Sequence, residues 1–109
     1  MAANTRKTAL QFLIEVQLLT PTEAEQALGV AAGVLRSGLD RLAASVAAKD
    51  GAGCVEAAHA LKGNLLNLGL PELAQTAQHA CVAARNGDTV AVQTVWQTLT
   101  RVLDPIMTP

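Results

Sequence analysis

Apolar residues recur along the chain with the period of an α-helix, and no stretch shows the alternation of a half-buried strand. Leu10, Leu13, Ile14 and Leu18 share one face, which predicts a first helix from Thr5 to about Leu18 with Asn4 as its N-cap. Thr20-Pro21-Thr22-Glu23 reads as the next helix start. Thr20 can cap it, Pro21 suits the first helical position, and Glu23 completes a capping box. Leu28, Ala32, Leu35, Leu39, Leu42 and Val46 follow at spacings of 4, 3, 4, 3 and 4, the seam of a helix bundle. Gly29, Gly33 and Gly38 weaken that helix, and a kink or break is expected near Gly29. Asp50-Gly51-Ala52-Gly53 reads as a turn.

A third helix is expected from about Ala52 to Leu68, stopped by Gly69. Pro71 opens a fourth, running to about Arg85 with Leu73, Ala77, Ala80 and Ala84 as its seam. Asn86-Gly87-Asp88 closes it, and Asp88 can cap a fifth. Val92, Val95, Trp96, Leu99, Val102 and Leu103 form the buried face of that last helix, which Asp104-Pro105 should end. The tail Thr108-Pro109 is expected to fray. The predicted fold is all-α: an antiparallel four-helix bundle with an additional N-terminal helix. Residues 1–109 form a single domain, with 1–19 accessory and 20–106 the bundle. The N-terminal helix can cap the bundle end or mediate a dimer, and the pattern does not choose.

Composition narrows the function. A chain of 109 residues is long enough for one modest core. Half of it is apolar, yet it holds one Phe, one Trp and no Tyr, so the core is built from aliphatic helices. Net charge is −1, with no basic stripe and almost no stacking residues, which argues against nucleic-acid binding. The run from Ala9 to Leu19 is broken by Gln11, Glu15 and Gln17, a helix face and not the apolar core of a signal peptide. No segment is long and apolar enough to span a membrane. Cys54 and Cys81 lack metal-ligand spacing, and reduced thiols in the cytoplasm are the expectation.

The chemistry concentrates on the third helix. Ala58, Leu61, Leu65 and Leu68 make its apolar stripe, and His59, Lys62, Gly63 and Leu66 make a second stripe beside it. Burying the first leaves an imidazole, an ammonium one turn on, and a glycine at the surface. Gly63 costs about 1 kcal/mol against Ala in a helix interior, and the apolar period runs on through it. It serves either clearance for an incoming surface beside His59 or a tight crossing with another helix. Spacing does not decide between the two.

His59-Ala60-Leu61-Lys62-Gly63, with Leu68-Gly69 and Glu72-Leu73 behind it, resembles the signature of histidine-containing phosphotransfer (HPt) domains. The resemblance runs from about Leu39 to Leu103 and is sharp from Ala57 to Leu73. It implies a helical bundle that carries a phosphoryl group on one histidine in multistep two-component signalling. His59 would be the phospho-accepting residue, attacking through the ring nitrogen farther from the backbone. The donor would be a phospho-aspartate on a response-regulator receiver domain, alone or within a hybrid sensor histidine kinase. The chemistry agrees, because an imidazole ring nitrogen is a competent nucleophile toward phosphorus. Lys62 can reach the oxygens of a phosphorylated ring, and phosphoryl transfer depends mainly on such positioning and charge.

The resemblance has one departure. The family often sets a Gln or Glu twenty-two residues after the histidine, and here that position is Cys81, a weak hydrogen-bond partner. Either Gln78, one turn earlier, takes over, or the ring is held less firmly. Arg85 resembles a basic position near the phosphohistidine in some members, and serves equally as a C-terminal helix cation. Leu66 suggests an apolar docking patch. Glu56 and His79 read as surface residues. Glu56 has no carboxylate partner in sequence, so no metal site is expected, and by resemblance the receiver supplies the metal. No cofactor is expected, and with no phosphate-binding loop the chain should be a relay intermediate without kinase activity. Two rival readings stand beside this one. The first is a partner-binding bundle with a vestigial motif. The second is a chemotaxis-kinase-type phospho-accepting module, disfavoured by the lack of a kinase segment here. Oligomeric state is open.

Overall fold

The computed structural model describes residues 2–108. Five helices follow one another: α1 (Ala2–Glu15), α2 (Pro21–Ala47), α3 (Gly51–Leu66), α4 (Pro71–Arg85) and α5 (Thr89–Met107). No strand occurs among the described residues.

Local chemistry sets the helix starts. Thr20 Oγ1 accepts from the Glu23 N–H at 3.1 Å, while Glu23 Oε1 accepts from the Thr20 N–H at 2.9 Å, the capping box expected at α2. The Thr20 N–H first, and the Thr20 hydroxyl after it, hold the Glu23 carboxyl below its ordinary value. Asp50 accepts from the Gly53 N–H at 2.9 Å and Asp88 from the Ala91 N–H at 3.1 Å. Caps of this kind contribute about 1 kcal/mol each.

The first four helices share one kind of stop. The residue after each C-cap region takes a left-handed φ: Leu18 (60°), Lys49 (55°), Gly69 (70°) and Gly87 (72°). The following N–H then reaches back six residues in the first case and five in the other three. Leu19 donates to the Leu13 carbonyl at 3.1 Å and Asp50 to Ser45 at 2.9 Å. Leu70 donates to Leu65 at 3.0 Å and Asp88 to Ala83 at 2.9 Å. These bonds satisfy carbonyls that a helix end would otherwise leave open. Gly69 and Gly87 adopt this φ without strain, whereas Leu18 and Lys49 do so at a cost of about 1–2 kcal/mol.

Several boundaries move accordingly. α1 starts before Asn4, so Asn4 is not its cap, and it stops at Glu15 because the Leu18 reversal consumes the last turn. Gly51 and Gly53 belong to the first turn of α3, since Asp50 caps that helix and Lys49 makes the reversal. α3 ends at Leu66, just short of the Gly69 reversal. Gly29 interrupts nothing, and α2 is continuous through it. α5 passes through Pro105 to Met107. One missing N–H is outweighed there by the burial of Ile106 and by Arg36, which donates to the Met107 carbonyl at 2.6 Å. On α4 the buried positions are Ala74, Ala77, Ala80 and Cys81, with Leu73 and Ala84 half-buried. Thr108 is not helical, and Pro109 lies outside the described residues.

Helices α2 and α3, α3 and α4, α4 and α5, and α5 and α2 pack pairwise, closing a ring around Leu28, Leu35, Leu42, Leu61, Leu65, Leu99 and Leu103. α1 lies against α2 and α5, burying Ala9 and Leu13, and Arg6 pairs with Glu25 of α2. Its Phe12 packs over Gly69, so α1 also reaches the connection between α3 and α4. Trp96 Nε1 donates to the Leu39 carbonyl at 3.0 Å, tying α5 to α2. α3 and α4 pack most extensively of all, through Ala57, Ala58, Ala74, Ala77 and Ala80. Small side chains let the two backbones come close, and that closeness builds the site.

Candidate functional site

The apolar stripe of α3 buries Cys54, Ala57, Ala58, Leu61 and Leu65, which turns the neighbouring stripe outward. His59 is exposed, as the pattern predicts. Among the described residues its ring makes no hydrogen bond, so its nitrogens are open to an incoming group. Glu56, one turn before it, is exposed, and so is His79 on α4.

Gly63 lies one turn beyond His59 and is exposed. A Cβ built on it would meet no atom of a neighbouring element within 4 Å. The helix-crossing reading of Gly63 is therefore wrong. The close crossing belongs to Gly38 of α2, where a Cβ would fall 2.8 Å from Leu61 Cδ2 and 3.1 Å from its Cγ. Gly63 leaves open space beside the imidazole.

Lys62 is half-buried against α4. Its Nζ donates to Gln78 Oε1 at 3.1 Å. This decides the question of the ring's partner. Gln78 holds the lysine and not the histidine. Cys81 does not hold the ring either: it is buried, and its Sγ lies 3.8 Å from the Val55 carbonyl as a weak donor. Burial pushes the Cys81 thiol up, and the Arg85 and Lys62 cations partly offset that shift. Arg85 stands one helical turn after Cys81, and Lys62 is held by Gln78 one turn before it.

Arg85 occupies the last turn of α4, exposed and near the same thiol. The single salt bridge among the described residues is Arg6–Glu25. Lys62 and Arg85 consequently carry their charge without a carboxylate partner, Lys62 on the histidine stripe of α3 and Arg85 on the facing helix α4. No group of three or more His, Cys, Asp or Glu among the described residues could hold a metal ion.

Apolar side chains complete the surface. Leu66, seven residues after His59, is 47% exposed, and Val82 on α4 is exposed to the same extent. Lys62 opposite Gln78 and Val55 opposite Cys81 fix the register of the two helices. In that register Leu66 and Val82 fall to either side of the His59–Lys62 pair. Val82 escaped the sequence reading, although Gln78, Val82 and Arg85 at spacings of 4 and 3 mark one face of α4. An exposed nucleophilic nitrogen, free cations beside it, open space and flanking apolar side chains suit the acceptance of an anionic group from a second protein.

Among the described residues no helix is long and apolar enough to cross a membrane. No curated protein and no solved structure shows significant similarity to the chain. The Hpt domain family model matches residues 22–105, which take in all of α3 and α4 and every residue of the site. The chain therefore belongs to the Hpt family, whose domains perform histidine phosphotransfer in phosphorelays.

Proposed function

We propose that His59 is the phospho-accepting residue, and that the chain relays a phosphoryl group between receiver aspartates in a multistep two-component pathway. The supporting observation is the exposed, unpartnered His59 ring beside the open space at Gly63. The ring nitrogen farther from the backbone attacks the aspartyl phosphate of a docked receiver. An N–P bond forms, the O–P bond breaks, and the aspartate leaves as a carboxylate. The reverse step delivers the group to a second receiver. Lys62 and Arg85 offset charge on the three equatorial oxygens, Gln78 supports Lys62, and Gly63 leaves room for in-line approach. Leu66 is the apolar docking contact.

The partners in this reading are a response-regulator receiver domain, a hybrid sensor histidine kinase, or both, acting in the cytoplasm. The chain has no kinase activity of its own. The domain is single, with 1–19 an accessory segment and 20–106 the bundle. Helices α2 to α5 form an antiparallel four-helix bundle, a reading supported by connections of three or four residues and by the closed ring of packing pairs.

The test is a transfer assay against a panel of phosphorylated receivers. Wild-type protein should gain acid-labile, alkali-stable phosphate, and His59→Gln should gain none while keeping its helicity. A mutant that still accepted phosphate from a competent donor would refute the assignment.

A further inference from the structure

Gln78 is the one side chain of α4 that makes a hydrogen bond across to the histidine stripe of α3, and its partner is Lys62, not the ring. We infer that Gln78 is a positioning residue for phosphoryl transfer: its amide oxygen fixes the Lys62 ammonium beside His59 without neutralising it. The inference rests on His59 as the acceptor and deepens that reading by naming what aims the lysine.

The argument starts from the lysine. A lysine side chain is a compact charge on a flexible four-carbon stem, and on an open helix surface it samples many positions. Such a charge helps a transition state only for the fraction of time it is in place. Here the stem is half-buried between α3 and α4, and the 3.1 Å bond to Gln78 Oε1 holds its end. An ammonium has three donors, so two remain for phosphoryl oxygens.

The chemical type of the anchor matters as much as its place. A carboxylate at position 78 would hold the ammonium more tightly. It would also cancel the positive charge that phosphoryl oxygens need, and it would repel them. An amide oxygen anchors without a formal charge. The surroundings keep to the same rule. Arg85 is the other charged group near this spot on α4, and no acidic side chain pairs with Lys62 among the described residues. Cys81 lies beneath, buried and turned to the Val55 carbonyl, so it does not compete for the ammonium.

The experiment is a double-mutant cycle on the full chain with a phosphorylated receiver as donor. The variants are Gln78→Leu, Gln78→Glu, Lys62→Ala and Gln78→Leu with Lys62→Ala, and circular dichroism melts establish that each is folded. Gln78→Leu should slow transfer by about tenfold, the lower end for a hydrogen bond to a charged group, as suits a half-exposed site. In the Lys62→Ala background the same change should have no further effect, because Gln78 acts only through the lysine. Gln78→Glu should keep the Lys62 ammonium protons in slow exchange by NMR and still slow transfer, with more of the rate recovered at high salt. Gln78→Leu should lose that slow-exchanging signal.

Equal slowing by Gln78→Leu in both backgrounds would overturn the inference, since a merely structural role predicts that result. A wild-type rate in Gln78→Leu, or in Gln78→Glu, would overturn it too. Should Gln78→Leu unfold, the Gln78→Glu transfer and NMR measurements decide alone. Failure of the underlying reading looks different: wild-type protein itself would gain no acid-labile phosphate from any donor.

Discussion

Gly63 offers a prediction whose sign is set by the surroundings of one atom. A Cβ at position 63 meets nothing from any neighbouring element within 4 Å. Gly63→Ala therefore adds no clash and recovers helix propensity, a gain of about 1 kcal/mol. Gly63→Gln places a longer helix former on the same exposed face and should gain about 0.5 kcal/mol. For a chain of this size, 1 kcal/mol corresponds to roughly 4 °C in Tm and roughly 0.5 M in the urea midpoint. Transfer should move the opposite way in the glutamine variant. Its side chain lies beside His59 and obstructs in-line approach of the donor, where even about 1 Å of misplacement can cost a hundredfold.

Gly38 is the internal control. Its Cβ would sit 2.8 Å from Leu61 Cδ2, and Leu61 is fully buried. Overpacking costs about 1–3 kcal/mol and exceeds the propensity gain, so Gly38→Ala should lose about 1 kcal/mol net. The assay is a urea melt of all three variants and a transfer time course on the two Gly63 variants. Loss of stability in Gly63→Ala would refute the reading that position 63 faces open space. A stabilised Gly63→Gln that transfers at the wild-type rate would refute its role in docking clearance.

Three further outcomes are expected. Lys62→Ala should slow transfer and shorten the lifetime of the phosphorylated state while changing stability by less than about 1 kcal/mol, and transfer kinetics that match wild type at several salt concentrations would exclude an electrostatic role. Lys49→Gly should raise the urea midpoint, because the left-handed strain of about 1–2 kcal/mol exceeds the entropy cost of a new glycine, about 0.5–1 kcal/mol; a lowered midpoint would refute that balance. Glu23 is held below its ordinary 4.5, so its stabilising contribution is complete above that value and is lost as pH falls through the lower folded one. The stability gap between wild type and Glu23→Gln should then narrow between pH 6 and pH 3, and a constant gap would show that the carboxylate charge is not what the cap uses.

The helices themselves were readable because each buries a continuous apolar face with a 3.6-residue period. The Thr20 box and the Asp88 cap were readable because capping is local. Boundaries failed where the local signal was missing or misleading. The reversals at Gly69 and Gly87 announce themselves by their glycines, whereas Leu18 and Lys49 adopt the same φ with side chains that give no such notice. Pro105 looked like a stop, but tertiary contacts at Ile106 and Met107 carry α5 past it.

The site divides along the same line. Which face of α3 carries His59, Lys62, Gly63 and Leu66 follows from periodicity, so the exposure of His59, Gly63 and Leu66 was predictable, whereas Lys62 on the same stripe is half-buried against α4. What stands opposite each of them did not follow, because it depends on the axial register of α3 against α4. Lys62 meets Gln78, and Cys81 meets the Val55 carbonyl. Shifting α4 by one turn relative to α3, about 5.4 Å, would move Gln78 away from Lys62 while leaving both apolar faces intact. Register is set instead by how Ala57, Ala58, Ala74, Ala77 and Ala80 interlock, and by the tight connection through Gly69 with Phe12 packed over it. An alanine-lined interface admits several such registers at similar burial, and so the grip of Gln78 on the lysine depends on how the alanines beside the histidine and the connection beyond it lock α4 in place.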